Sequence, residues 1–183
     1  MKTERLELRP LKRADYSAWK NAKSSQGPPQ NRFDIAGSVE LKNLTRSKYL
    51  EILKRHRKNS KADQVYIYGV FLGAQLIGSL SMSVSRGYMH TAMIGYNIFN
   101  NHWGKGYGTE ALGGLLEIAF KEQKLHRVVA GIEPGNRRSV KLVTKFGFRH
   151  EGIAKRALLI RGKWQDLNQY ALTCEEYGVI WQG

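Results

Sequence analysis

The residues with the clearest chemical potential are Asn101-His102-Trp103-Gly104-Lys105-Gly106-Tyr107-Gly108-Thr109-Glu110-Ala111-Leu112. Three glycines alternate with other residues, and a helical pattern begins directly behind them. Glycines at every second position let successive backbone N–H groups converge without Cβ atoms in the way. The helix behind adds its own unpaired N–H groups and the positive end of its dipole. Together these make a site for a phosphate or diphosphate. Two common phosphate loops do not fit. The pattern G-x-x-x-x-G-K-[ST] needs Ser or Thr directly after its lysine, and Gly106 follows Lys105. The dinucleotide fingerprint needs G-x-G-x-x-G and an acidic residue about 20 positions on, where this chain has only Lys124.

Such a loop must sit between a strand that delivers it and a helix that backs it. Residues 4–12 alternate apolar and polar and predict an edge strand ending at Pro10. Asp15 to about Lys23 reads as a short helix, and Ser24 to Asn31 as a loop. Thr45 or Ser47 caps a helix running to about Lys58, with Tyr49, Leu50 and Leu53 on one face. Val65–Phe71, Leu76–Val84 and Thr91–Phe99 predict a three-stranded antiparallel meander. The glycine loop then leads into a helix over about 108–122, with Leu112, Leu115, Leu116 and Ala119 at helical spacing. Arg127–Ile132 is an apolar strand. Asn136 or Ser139 opens a helix ending at Gly147, and strands over about 149–161 and 163–173 join at Gly162.

The 183 residues are expected to form a single domain, 1–183, with a full hydrophobic core. No apolar run approaches 18 residues, so no membrane span is expected. The N-terminus leads straight into a strand pattern and does not read as a signal peptide. The lone Cys174 cannot form an internal disulfide, and a cytoplasmic location is the simplest reading. The net charge is +15. That predicts attraction to polyanions such as nucleic acid, ribosomes or acidic proteins. Lys54-Arg55-His56-Arg57-Lys58 is the densest basic run. It reads either as a solvated helix end or as a patch that faces a polyanion.

Taken together, the motifs resemble the GNAT N-acetyltransferases. The GNAT acyl-CoA loop has the pattern [QR]-x-x-G-x-[GA], and Trp103 through Gly108 looks like it with Trp in the first place. The element order β-α-α-β-β-β-α-β-α-β-β also resembles that family over nearly the whole chain. The similarity is greatest to the RimJ/RimL branch, the ribosomal-protein N-terminal acetyltransferases. It is carried by Arg5–Leu11, Ile94-Gly95-Tyr96, Gly106–Leu112, Asn136-x-x-Ser139 with Lys145–Phe148, and Gly162-Lys163-Trp164-x-Asp166.

The resemblance implies an α/β fold with a mixed, mostly antiparallel sheet and helices on both faces. It implies that acetyl-CoA lies where the strand ending at Phe99 and the strand Arg127–Ile132 splay apart. The diphosphate would sit on the amides of Trp103, Gly104, Lys105, Gly106, Tyr107, Gly108 and Thr109. The pantetheine arm would pair along Tyr96 to Phe99, Ile98 included, and a backbone N–H there would stabilise the thioester oxyanion. Asn136 would bind the cofactor and Ser139 would be the general acid, with Tyr96 beside them. The alternative for Asn136 is a helix cap, with Ser139 in the first turn. Tyr96 and Trp164 would line the acceptor pocket and Asp166 would receive a cationic amine. Relatives carry Glu at the position of Met93. No carboxylate lies between Thr91 and Glu110, so a water chain or a neutral amine must stand in for a base. His90, His102 and His126 are candidate helpers or packing residues. No His/Cys/Asp cluster has metal spacing, so no metal is expected.

The implied activity is transfer of acetyl from acetyl-CoA to a primary amine. A protein N-terminal α-amine, with pKa about 7.7–8.0, is the favoured acceptor, since a lysine near 10.4 costs about 3–4 kcal/mol more to neutralise. The alternatives are a small-molecule amine such as a polyamine, which a highly basic chain would repel, and a non-catalytic module that binds acyl-CoA or RNA. The acceptor, the acyl-chain preference and a monomeric or dimeric state are not fixed by the sequence.

Overall fold

The computed structural model describes residues 1–34, 41–160 and 162–181. Seven strands and four α-helices follow in the order β1 (Glu7–Arg9), α1 (Tyr16–Ser24), α2 (Arg46–Lys61), β2 (Val65–Leu72), β3 (Gln75–Ser85), β4 (Thr91–Ile98), α3 (Tyr107–Glu117), β5 (Arg127–Ile132), α4 (Arg137–Thr144), β6 (Arg149–Ile160) and β7 (Lys163–Thr173). The strands hydrogen-bond in the order β1-β2-β3-β4-β5-β7-β6. This is the mixed, mostly antiparallel α/β architecture expected from the sequence. Contacts group the chain into two compact units, Met1–Ser83 with Tyr96–Leu115, and Val84–Gly95 with Leu116–Gly183.

In the first unit, β1 pairs with β2 and β2 with β3, all antiparallel. Leu8 lies opposite Val70, so both face one side, and Phe71 faces the other. On the Leu8 side α3 packs so closely that a Cβ on Gly114 would sit 2.5 Å from Leu8 Cδ1. On the Phe71 side a cluster of Trp19, Ala22, Leu44, Tyr49, Leu76 and Phe99 closes the core beneath α1 and α2. Tyr49 is fully buried, and its hydroxyl donates to Lys12 O at 2.6 Å, so the buried phenol keeps a partner. Thr45 is the cap of α2, accepting from Lys48 N at 3.2 Å.

In the second unit β4 runs parallel to β5 over Thr91–Met93 and Arg127–Val129. β5 then pairs antiparallel with β7 along its whole length, and β7 with β6. Val128, Ala130, Leu172 and Cys174 are buried with Leu116, Ile118, Ala119, Phe120 and Leu125. Arg127 and Arg149 both pair with Glu151, which ties the N-terminal ends of β5 and β6.

Three boundaries differ from the sequence reading. The first strand spans only Glu7–Arg9, because Thr3 and Leu6 close a turn on each other through Leu6 O and Thr3 Oγ1. The second helix continues to Lys61. The loop-following helix is α-helical only to Glu117 and π-helical over Ile118–Glu122, where Gln123 N reaches Ile118 O at 2.8 Å. The wider turn accommodates three consecutive buried residues, Ile118 to Phe120. Among the described residues, no helix is long and apolar enough to cross a membrane.

Candidate active site

The glycine loop has the backbone shape its spacing predicts. Gly104 and Gly106 have φ of +78° and +80°, the left-handed region that a side chain disfavours. A Cβ on Gly104 would meet nothing within 4 Å, so the loop is open at that point. Helix α3 starts at Tyr107, and its first intrahelical bond runs from Glu110 N to Gly106 O. The amides of Tyr107, Gly108 and Thr109 precede that bond and have no intrahelical acceptor. Helix start and left-handed glycines together make an anion cradle.

Long-range contacts hold the loop in place. Glu110 accepts from Thr3 Oγ1 at 2.6 Å and from Arg5 N and Nε at 2.7 Å each. Arg5 Nη1 also donates to Lys105 O at 3.0 Å, and its guanidinium lies over the Tyr107 ring. Burial pushes the Glu110 carboxyl up, but these hydrogen bonds outweigh it and hold it below the usual range. The acid at the helix start is therefore neutralised from behind, and it does not oppose an anion in front. Trp103 Nε1 donates to Ile98 O at 2.6 Å, tying the loop to the end of β4. Asn100 is buried and bonds to Gly27, Pro28 and Asp34. His102 is buried, and its Nδ1 has no partner among the described residues. Burial, with Lys105 nearby, lowers its pKa, so it is neutral at pH 7. Sequence reasoning assigned no role to Thr3, Arg5, Glu110 or Asn100, although Arg5 and Glu110 stand in the motif segments.

Two of the expected cofactor amides are already committed. Trp103 N donates to Asn100 O at 3.3 Å, and Phe99 N to Ile77 O at 2.9 Å. Asn97 O also faces β3, since a Cβ on Gly78 would lie 2.4 Å from it. With a two-residue alternation, positions 97 and 99 aim their peptide groups at β3 and positions 96 and 98 aim away from it. Trp103 N and Phe99 N therefore already hold backbone acceptors, and the glycine loop proper runs from Gly104 to the helix start at Tyr107.

The second unit holds the remaining candidates. Asn136 is the N-cap of α4, its Oδ1 accepting from Ser139 N at 3.2 Å. The capping arrangement is therefore present, and it leaves the Asn136 amide NH2 for another acceptor. Trp164 is 61% exposed on β7. Asp166 accepts from Lys155 Nζ and Arg156 N, both at 2.9 Å. Arg156 sits at φ +50° within the register shift of β6, so Asp166 braces that irregularity rather than the Gly162 turn. The hydrogen bond from Arg156 N, then Lys155, holds its pKa down. Met93 is half exposed. His90 and His126 flank the Trp181 ring as packing partners. The fold also brings His126, Cys174 and Glu175 together, their donor atoms within 4.8 Å of one another. Sequence spacing could not show that trio, because β-pairing creates it. It packs at the end of β5, and burial raises the Cys174 thiol pKa, which disfavours the thiolate a metal needs.

Comparisons with known proteins agree with this geometry. The model of the acetyltransferase (GNAT) domain matches residues 5–149. The chain is 38% identical over 117 residues to the Bacillus subtilis protein named probable N-acetyltransferase YjcK, covering 62% of this chain and 65% of that one. It is 36% identical over 120 residues to the Escherichia coli [ribosomal protein uS5]-alanine N-acetyltransferase, covering 64% and 62%. These matches span less than two thirds of either relative's length. Among solved structures, Mycobacterium smegmatis RimJ in complex with CoA-disulfide superposes with a TM-score of 0.80 at 27% identity, covering 93% of this chain and 83% of that one. With the family model matching most of its length, the chain belongs to the GNAT acetyltransferase domain family.

Proposed function

We propose that this chain is an acetyl-CoA-dependent N-acetyltransferase whose acceptor is a protein N-terminal α-amine. The carrying observation is the start of α3, where left-handed Gly104 and Gly106 lead into a helix whose first amides have no intrahelical acceptor. Family membership and the RimJ and uS5-alanine relatives support the reading. Bound acetyl-CoA supplies the activated thioester. Gly104 to Thr109 hold its diphosphate, and an amide at Tyr96 or Ile98 stabilises the oxyanion. The NH2 of Asn136 holds the cofactor's arm, and Ser139 protonates the departing thiolate. Tyr96 in the first unit and Trp164 in the second are the residues that the family resemblance assigns to the acceptor.

No carboxylate occupies the position of Met93, and none lies between Thr91 and Glu110. Without a strong base the acceptor must arrive largely neutral, which an α-amine does near pH 8 and a lysine does not. The test mixes protein, acetyl-CoA and peptides that differ only in a free α-amine or a free lysine, and follows thiol release. Release that depends on the free α-amine supports the proposal. Coenzyme binding without release points to the acyl-CoA sensor that Met93 would suit. Release with lysine or polyamine acceptors but not α-amines overturns the acceptor assignment.

A further inference from the structure

The first unit carries a second concavity, of about 820 Å³, between α2, β2 and the segment after β1. None of residues 96–109 lines it. Its floor is apolar, from Leu50, Leu53 and Ile67, and the half-buried Tyr66 also lines it. Its rim is basic: Lys54, Arg57, Lys58 and Lys61 from α2, with Lys12 and Arg13 across from them. No carboxylate lines it; of those beside the lining residues, Asp15 accepts from Lys12 N at 2.7 Å and is held by Arg9, and Asp63 takes the Tyr66 hydroxyl at 2.8 Å. Positions 50, 53, 54, 57, 58 and 61 form one helical stripe. The four α2 cations are exposed, and none has an ion-pair partner among the described residues. Elsewhere Arg5, Arg9, Arg127 and Arg149 all hold carboxylates.

Four unneutralised cations on one helical stripe repel each other at i,i+3 and i,i+4 spacing, and the helix dipole relieves only those in its last turn. An anion with a regular repeat would remove that cost. One helical turn advances about 5.4 Å, so these side chains form a ladder with one rung per turn. That suits consecutive phosphates of an extended strand better than the irregular carboxylates of an acidic peptide. The tyrosine and apolar floor suit unstacked bases, which double helices do not offer.

We propose that the groove between α2 and β2 binds a segment of single-stranded RNA, its phosphates on Lys54, Arg57, Lys58 and Lys61 and a base against Tyr66. This does not depend on the acetyl-transfer reading. The test is fluorescence anisotropy of the full chain with a short labelled oligouridine across a salt series. Four phosphate contacts predict a log–log salt slope near about −3, or on the order of a 50-fold loss between about 50 and 200 mM salt. The triple variant Lys54→Gln, Lys58→Gln, Lys61→Gln should flatten that slope to about −1. Tyr66→Leu should weaken binding by about fivefold or more with the slope unchanged. A charge-matched control, Lys2→Gln, Lys20→Gln, Lys121→Gln, should stay within about twofold of the parent. Thermal melting and acetyl-CoA titration of each variant establish that it folds. Absence of oligouridine binding, equal weakening by the two triple variants, or tighter binding of polyglutamate or duplex RNA than of oligouridine overturns the proposal.

Discussion

The chain starts two helices in opposite ways. Helix α3 begins behind Gly104 and Gly106, and among the described residues no side chain is seen capping its first amides. Helix α4 begins behind Asn136, which bends its own side chain onto Ser139 N. A helix start that caps itself gains stability and has one less donor to offer. A helix start left open loses that stabilisation and must be held by something else. Here the holding comes from Arg5, Thr3 and Trp103, residues that grip the loop from its outer side. The difference teaches how to tell a binding helix start from a structural one: by where its capping groups are spent.

The comparison can be broken at its glycines first. Gly106→Val places a β-branched residue at φ +80° and a Cβ about 3.4 Å from Arg5 Nη2. It should lower acetyl-CoA affinity on the order of 100-fold, as read by calorimetry. Next, Ser139→Ala should reduce kcat by about 100-fold while leaving coenzyme affinity near parental, if the hydroxyl gives its proton to the thiolate. Trp103→Phe removes the indole N–H that holds Ile98 O, along with part of the ring, and should weaken the coenzyme about tenfold through a loosened loop. Asn136→Asp keeps the capping oxygen and loses the NH2. Its melting temperature should hold while KM for acetyl-CoA rises several-fold; a pure cap would leave KM unmoved.

The smallest effect concerns pH. The Glu110 pKa is held below its ordinary 4.5. Its contribution is then fully present above that value and fades as pH falls through the lowered folded-state pKa. Glu110→Gln should flatten this acid limb in urea denaturation, and cost about 1 kcal/mol at pH 7 after allowing for the exposure of Arg5.

The parts of the site legible in the sequence were those written locally. The spacing of Gly104 and Gly106 dictates a left-handed turn, and the periodicity after it dictates a helix. Arg127–Ile132 was legible for the same reason, as an apolar run with clear ends. Thr45 and Asn136 could be read as caps because a cap acts within three residues. The clamp between Arg5 and Glu110 crosses 105 positions, and the Asn100 contacts to Gly27 cross 73. Nothing local announces such pairs. Asp166 was ambiguous because a carboxylate beside a turn reads alike as ligand or brace, and its bonds to Lys155 and Arg156 N come from strand pairing that no local pattern shows. The basic run at Lys54–Lys58 reads alike as a solvated helix end or a polyanion-facing patch, and the groove it lines with β2 arises from long-range packing that the sequence does not show.

The central claim is that main-chain amides from Gly104 to Thr109 grip a diphosphate. Titration calorimetry of the intact chain with acetyl-CoA and with acetyl-pantetheine, which lacks the diphosphate, tests it directly. Acetyl-CoA should bind at least about 100-fold more tightly, and Gly106→Val should erase most of that gap. Equal affinity for the two compounds, or a gap that survives Gly106→Val in a folded protein, would contradict it.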